Sequence, residues 1–169
     1  MNAGYIITRL DANAGVFSAL LMNLTREEYT WKPSPEKWSL LEIVCHLHDE
    51  EREDFRARLR YILEQADHPM PSIDPQGWVT ARRYSERDFS DALNAFISER
   101  IESVKWLRSL TNPLWSNAYQ HPKLGAMTGE MFLVNWLAHD YLHFRQITRM
   151  KYQYLQLQTA ESLSYAGSW

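Results

Sequence analysis

Four stretches of this chain repeat apolar residues every three to four positions, and there is no convincing run of the alternation expected for a strand. That pattern commits the chain to helices, and helices with one apolar stripe each must bury those stripes against one another. The first stretch covers about Gly4 to Leu24, with Ile6, Leu10, Val16, Leu20 and Leu24 as its apolar positions. Thr25-Arg26-Glu27-Glu28 then reads as a capping box opening a short helical turn, and Trp31-Lys32-Pro33-Ser34-Pro35 breaks it.

The second helix begins at Ser39, whose spacing to Glu42 makes another capping box with Trp38 just before it, and its pattern runs to about Gln65. Pro69, Pro71, Pro75 and Gly77 make the next stretch, about Ala66 to Tyr84, a long loop of the kind that often carries function. The third helix is expected from near Ser85 to about Leu110, where Thr111-Asn112-Pro113 stops it. A loop with His121, Pro122 and Gly125 leads to Thr128, the expected cap of a fourth helix reaching about Tyr152. The periodicity predicts an all-α chain folded as a four-helix bundle.

At 169 residues the chain fits a single domain, with the bundle at residues 1–152 and a polar, aromatic-dotted tail at residues 153–169. Eighteen basic and 21 acidic side chains give a net charge of −3, which argues against a broad surface for nucleic acid. The basic cluster Arg56, Arg58 and Arg60 sits among Glu50, Glu51 and Glu53 and reads as a solvated helix face. Cys45 is the single cysteine, so no intrachain disulfide forms and a reducing cytoplasm is the expected compartment. With no basic-then-apolar N-terminus and no apolar run of about 18 residues, neither a signal peptide nor a membrane span is expected.

The chemistry concentrates in histidines. His139 and His143 lie four apart on the fourth helix, which puts both rings on one face about one turn apart. Asn135 and Gln146 share that face, with Phe132 and Met150 near the same line. His46 lies in the second helix, on a face with Ser39, Glu42, Glu50 and Glu53, whereas His48 is about 200° round and points away. If the two stripes meet in the bundle, buried imidazoles need partners, and one divalent metal held by His46, His139 and His143 satisfies all three. Each element has a plainer reading. Isolated H-x-x-x-H pairs occur on ordinary helices, Glu50 and Glu53 alone are commonly solvated, and His68 and His121 read as loop residues. Cys45, about 100° from His46, reads as buried and inert.

Three stretches carry a resemblance to a known family. Trp38-Ser39-Leu40-Leu41-Glu42-Ile43-Val44-Cys45-His46-Leu47 is close to a W-S-x-x-E-x-x-x-H-L signature. His121-Pro122-Lys123-Leu124-Gly125 and Ala138-His139-Asp140-Tyr141-Leu142-His143-Phe144-Arg145-Gln146-Ile147 are similar to H-P-x-x-G and H-x-x-x-H-x-x-Q-I runs. In this order and spacing they resemble the DinB-like (DinB/YfiT) superfamily of metal-dependent bundle proteins, over about Ala3 to Met150. The resemblance implies an up-down-down-up bundle with a long crossover and a frequent homodimer. It also implies a metal such as nickel, zinc, iron or manganese on His46, His139 and His143. Activities it brings with it are transfer of low-molecular-weight thiols to small electrophiles and thiol-dependent isomerisation.

The resulting expectation is a metal-dependent enzyme that activates water or a thiol cosubstrate toward a small molecule. Glu50 is then a fourth ligand, an acceptor for an imidazole N–H or a general base. Gln146 and Asn135 are candidates to position substrate, and loops around Trp78 and His121 to close the mouth. The alternative is a non-catalytic dimeric bundle that binds a metal or a small molecule. Nucleic acid and membrane are not expected partners.

Overall fold

The computed structural model describes residues 1–64, 69–70 and 72–167. Among the described residues seven α-helices and one hairpin follow in the order α1 (Ala3–Leu21), α2 (Arg26–Thr30), α3 (Leu40–Asp49), α4 (Arg56–Leu63), α5 (Pro75–Ala81), α6 (Phe89–Ser109), β1 (Ala118–His121), β2 (Gly125–Thr128) and α7 (Gly129–Leu157). A π-helical turn, Glu50–Phe55, joins α3 to α4, so the two form one rod.

Apart from α4, which continues the rod, each helix starts where a side chain satisfies free backbone N–H groups. Both expected capping boxes are present, Thr25 with Glu28 on α2 and Ser39 with Glu42 on α3. Thr128 caps α7 by accepting from the Met131 N–H. The boundaries move where local chemistry intervenes. Helix α1 ends at Leu21 rather than Leu24, because Met22 is extended and Asn23 takes a left-handed φ of 59°. Helix α6 starts at Phe89, four residues after Ser85, because Asp88 accepts from the Asp91 N–H and so is the cap itself. The stretch expected to be all loop contains α5, where Asp74 caps and Pro75 occupies the first turn. The second helix ends at Leu63; Gln65 and His68 lie outside the described residues. The strands β1 and β2, paired antiparallel from Ala118↔Thr128 to His121↔Gly125, had no counterpart in the sequence reading. They are four residues each, too short for alternation to register against the helical pattern. Helix α7 runs five residues beyond Tyr152.

The core has two apolar halves with a polar belt between them. One half holds Phe17, Leu21, Leu40, Val44, Leu47, Phe96, Ile147 and Met150. The other holds Ile6, Leu10, Phe55, Leu59, Val104, Leu107, Leu133 and Trp136. Following α1, the rod, α6 and α7 from one half to the other gives directions up, down, down and up. The connection between the rod and α6 is therefore a long crossover, and α5 lies within it. The chain enters α7 tightly: a side chain on Gly129 would meet the Trp115 carbonyl at 3.2 Å and Leu63 at 3.3 Å.

Every long element breaks its apolar stripe at the same level. The breaks are Asn13 on α1, Asp49-Glu50-Glu51 on the rod, Arg100 and Ser103 on α6, and Asp140 and His143 on α7, all buried. Among the described residues, no helix is long and apolar enough to cross a membrane.

Candidate metal centre

His46 sits on the second turn of α3, held in place by the Ser39–Glu42 capping box one and two turns earlier. Lys32 reaches Glu42 at 2.8 Å and pins the preceding segment to this helix. Trp38, just outside the cap, lays its indole against the His46 ring with centroids 4.8 Å apart. Across the bundle, α7 presents His139 and His143, whose Nε2 atoms are 3.0 Å apart. The His46 ring centroid is 5.5 Å from that of His139 and 5.1 Å from that of His143. One ring nitrogen from each of the three lies within 4.8 Å of the others, and this is the only such cluster of three or more ligating side chains among the described residues.

The imidazoles are neutral. Burial pushes His46 down to about 3, His139 to about 2 and His143 to about 4, with the positive charge of a protonated neighbour adding to the effect for the first two. Neutral nitrogen is the form that binds a metal. Two ligand nitrogens on one ion at 2.0–2.1 Å are themselves roughly 3.0–3.4 Å apart, which the His139–His143 pair already matches. His46 Nδ1 and Glu50 Oε1 face each other at 3.9 Å, beyond hydrogen-bond length, and both are buried without a hydrogen-bond partner among the described residues. Buried polar atoms left in that condition are costly unless a further group completes them. The donor set and these orphaned atoms fit a divalent metal.

The π turn sets which carboxylates reach the site. One additional residue in the turn shifts the register of everything after it. Glu53, expected on the His46 face, turns instead to Arg82, which it accepts at 2.8 and 2.7 Å. Asp54 takes its place, hydrogen-bonded with Glu50 and 3.1 Å from Arg58 Nε. Burial, then the Asp54 carboxylate, raises the Glu50 pKa well above the ordinary value. Glu50 is thus buried rather than solvated, and Arg58 is partly buried rather than part of an open basic face. Arg56 likewise turns inward to Glu99 and Ser103.

A family model described as the DinB superfamily matches residues 9–147. The chain belongs to the DinB superfamily. Among solved structures it is similar to YfiT from Bacillus subtilis, described as a probable metal-dependent hydrolase with an unusual four-helix bundle topology. The TM-score is 0.78 at 18% identity, over 89% of this chain and 86% of that one, a likeness of fold. A comparison with curated proteins finds no match.

Within this DinB-superfamily bundle the sequence-predicted residues divide. His46, His139, His143 and Glu50 come together. His48 points to the opposite side, where it lies 3.3 Å from Asp49. His121 is spent in the hairpin, its Nδ1 accepting from the Lys123 and Leu124 N–H groups. Trp78 lies on α5 beneath the Arg82 guanidinium, 4.3 Å from its centroid. Asn135 turns back to the Met131 carbonyl at 2.8 Å. Cys45 is buried, and burial raises its thiol to about 12.

Sequence reasoning missed a second polar group beside the histidines. Arg100, 1% exposed, donates from Nε and Nη2 to the two Glu51 oxygens, both at 2.9 Å. It donates to Asp140 at 2.7 and 2.8 Å and to the Leu10 carbonyl at 3.2 Å. Asn13 donates to Asp140 and the Trp136 indole to Glu51, each at 2.8 Å. All five guanidinium N–H groups are used. The available signal was a cation in the apolar stripe of α6, four residues after Phe96 and four before Val104.

Proposed function

We propose that this protein is a metal-dependent enzyme that acts on a small molecule, with His46, His139 and His143 as its three protein ligands. The observation carrying this reading is the convergence of three neutral imidazoles, His46 and His143 buried and His139 half-buried, whose donor atoms lie within 4.8 Å of one another. Three ligands leave coordination positions open, the arrangement of catalytic rather than closed structural sites. A divalent metal bound there lowers the pKa of a bound water or low-molecular-weight thiol and so supplies a nucleophile near neutral pH.

The chain's own groups do the rest. Trp38 and Phe55 wall the histidines with aromatic rings, at 4.8 Å from His46 and 5.1 Å from His139, and restrict water. Glu50 in its ionised form accepts the proton released by the nucleophile at Oε1, and its raised pKa lies close enough to neutrality for the proton to be passed on. Asp54 holds the other side of the Glu50 carboxyl. The description of YfiT as a probable metal-dependent hydrolase supports hydrolysis as the first reaction to assay. Nickel, zinc and iron are imidazole-compatible candidates, with manganese to be screened beside them.

The test is elemental analysis of untagged protein beside the His139→Ala, His143→Ala double variant. About one metal per chain in the wild type and none in the variant is the expected result. No metal in either, after incubation with each of the four ions, would overturn the reading. Loaded protein is then screened for ester and amide hydrolysis and for thiol transfer. The Glu50→Gln variant should retain metal and lose turnover.

A further inference from the structure

We propose that Arg100 is a positioning residue of the metal centre, setting the rotation of both helical elements that carry the ligands. The inference rests on the metal-binding reading above but concerns residues outside the ligand set. Arg100 lies on α6, which contributes no histidine. Its guanidinium nevertheless grips the chain immediately beside each half of the site. Glu51, which it holds with two parallel hydrogen bonds, follows Glu50. Asp140, which it also holds with two, follows His139.

Helix geometry converts those grips into site geometry. With Asp140 fixed toward the bundle axis, His139 stands about 100° to one side and His143 about 60° to the same side. With Glu51 fixed toward the same point, Glu50 is carried about 80–100° round, onto the His46 face. Three successive acids are buried in three directions: Asp49 toward Tyr84 and Arg82, Glu50 toward His46, and Glu51 toward Arg100. Successive residues of a helix point about 100° apart, which gives this divergence, and the π turn that begins at Glu50 brings Asp54 rather than Glu53 onto the His46 face.

The fork is what makes one side chain sufficient. A planar guanidinium presents donors in fixed directions and engages two carboxylates at once, whereas an ammonium is a single point. The Leu10 carbonyl of α1 accepts from the remaining guanidinium N–H, and Asn13 of the same helix donates to Asp140, so all four long elements of the bundle meet at this cation. A ligand-orienting role for such neighbours has a known scale, since removing groups that orient metal ligands costs 10–100-fold in affinity.

Two variants test the proposal. Arg100→Lys keeps the charge and removes the fork. The Arg100→Met, Glu51→Gln, Asp140→Asn triple variant removes the charges together, so no buried ion is stranded and the bundle is expected to fold. Leu107→Ala, in the apolar half away from the site, serves as a destabilised control. In crystal structures of the metal-free variants, the His46 to His139 and His46 to His143 ring separations should change by about 1 Å or more, beyond the roughly 0.5 Å tolerance of a productive site. Titration with Co2+ should show affinity lower by about 10–100-fold and an altered visible spectrum, with Leu107→Ala within about twofold of wild type. Ring separations within about 0.5 Å of wild type in a folded variant overturn the proposal, whatever the affinity. A wild type that takes up no Co2+ instead removes the metal reading, and the ring separations alone then decide the role of Arg100.

Discussion

Acidification of the metal-free protein from pH 7 to pH 5 should remove a large part of its stability. In the unfolded chain each imidazole titrates near its ordinary pKa of about 6.5 and takes up a proton across this interval. In the fold, burial holds His46 at about 3, His139 at about 2 and His143 at about 4, so none of the three takes it up. Stability is therefore complete above about pH 6.5 and is lost as pH falls, until the folded-state values are reached. Each histidine contributes about 1.4 kcal/mol per pH unit below its unfolded pKa, or about 2 kcal/mol over the interval once rounding near 6.5 is included. Three give about 6 kcal/mol. Glu50 works the other way. Its raised pKa means that the folded state takes up a proton the unfolded chain does not, offsetting about 2 kcal/mol. The net loss is about 4 kcal/mol, against a typical total of 5–15 kcal/mol.

The assay is urea unfolding followed by far-UV circular dichroism on chelator-treated protein at pH 7, 6 and 5. With a slope near 2 kcal/mol per molar urea, the midpoint should fall by about 2 M. A His46→Gln, His139→Gln, His143→Gln variant should lose the downward trend and retain the Glu50 contribution. A wild-type midpoint that is the same at pH 7 and pH 5, or a variant with the wild-type pH dependence, refutes the reasoning that these imidazoles are buried and neutral.

Other perturbations have expected outcomes on the same assays. Arg100→Met alone strands the Glu51 and Asp140 carboxylates in the core and should cost about 3–5 kcal/mol by urea unfolding. Adding Glu51→Gln and Asp140→Asn should recover most of that loss, and failure to recover would show that the cost is not electrostatic. Ser39→Ala removes the hydroxyl that caps α3 and should cost about 1 kcal/mol, without changing metal stoichiometry. Cys45 should resist a thiol reagent in the folded protein and react on unfolding, since its thiol is buried and held near 12. Rapid labelling of native protein would contradict that burial.

The sequence determined what depends on neighbours along the chain. The Thr25–Glu28 and Ser39–Glu42 boxes and the Thr128 cap are short-range chemistry, and all three form as read. His139 and His143 share a face because four residues nearly complete a helical turn, whatever the surroundings. The family motifs joined His46 to that pair before any fold was in view. Only the tertiary structure decided the π turn. Glu51, inside it, is held by Arg100 from a helix about fifty residues away, and no local pattern announces an i to i+5 bond. For that reason Asp54, not Glu53, stands behind Glu50. Arg100 was visible as a cation out of place in an apolar stripe, but its partners Glu51, Asp140 and Asn13 are brought together by packing alone. A buried charge is tolerable only where other elements deliver its counter-charges, and that delivery is a property of the assembled bundle.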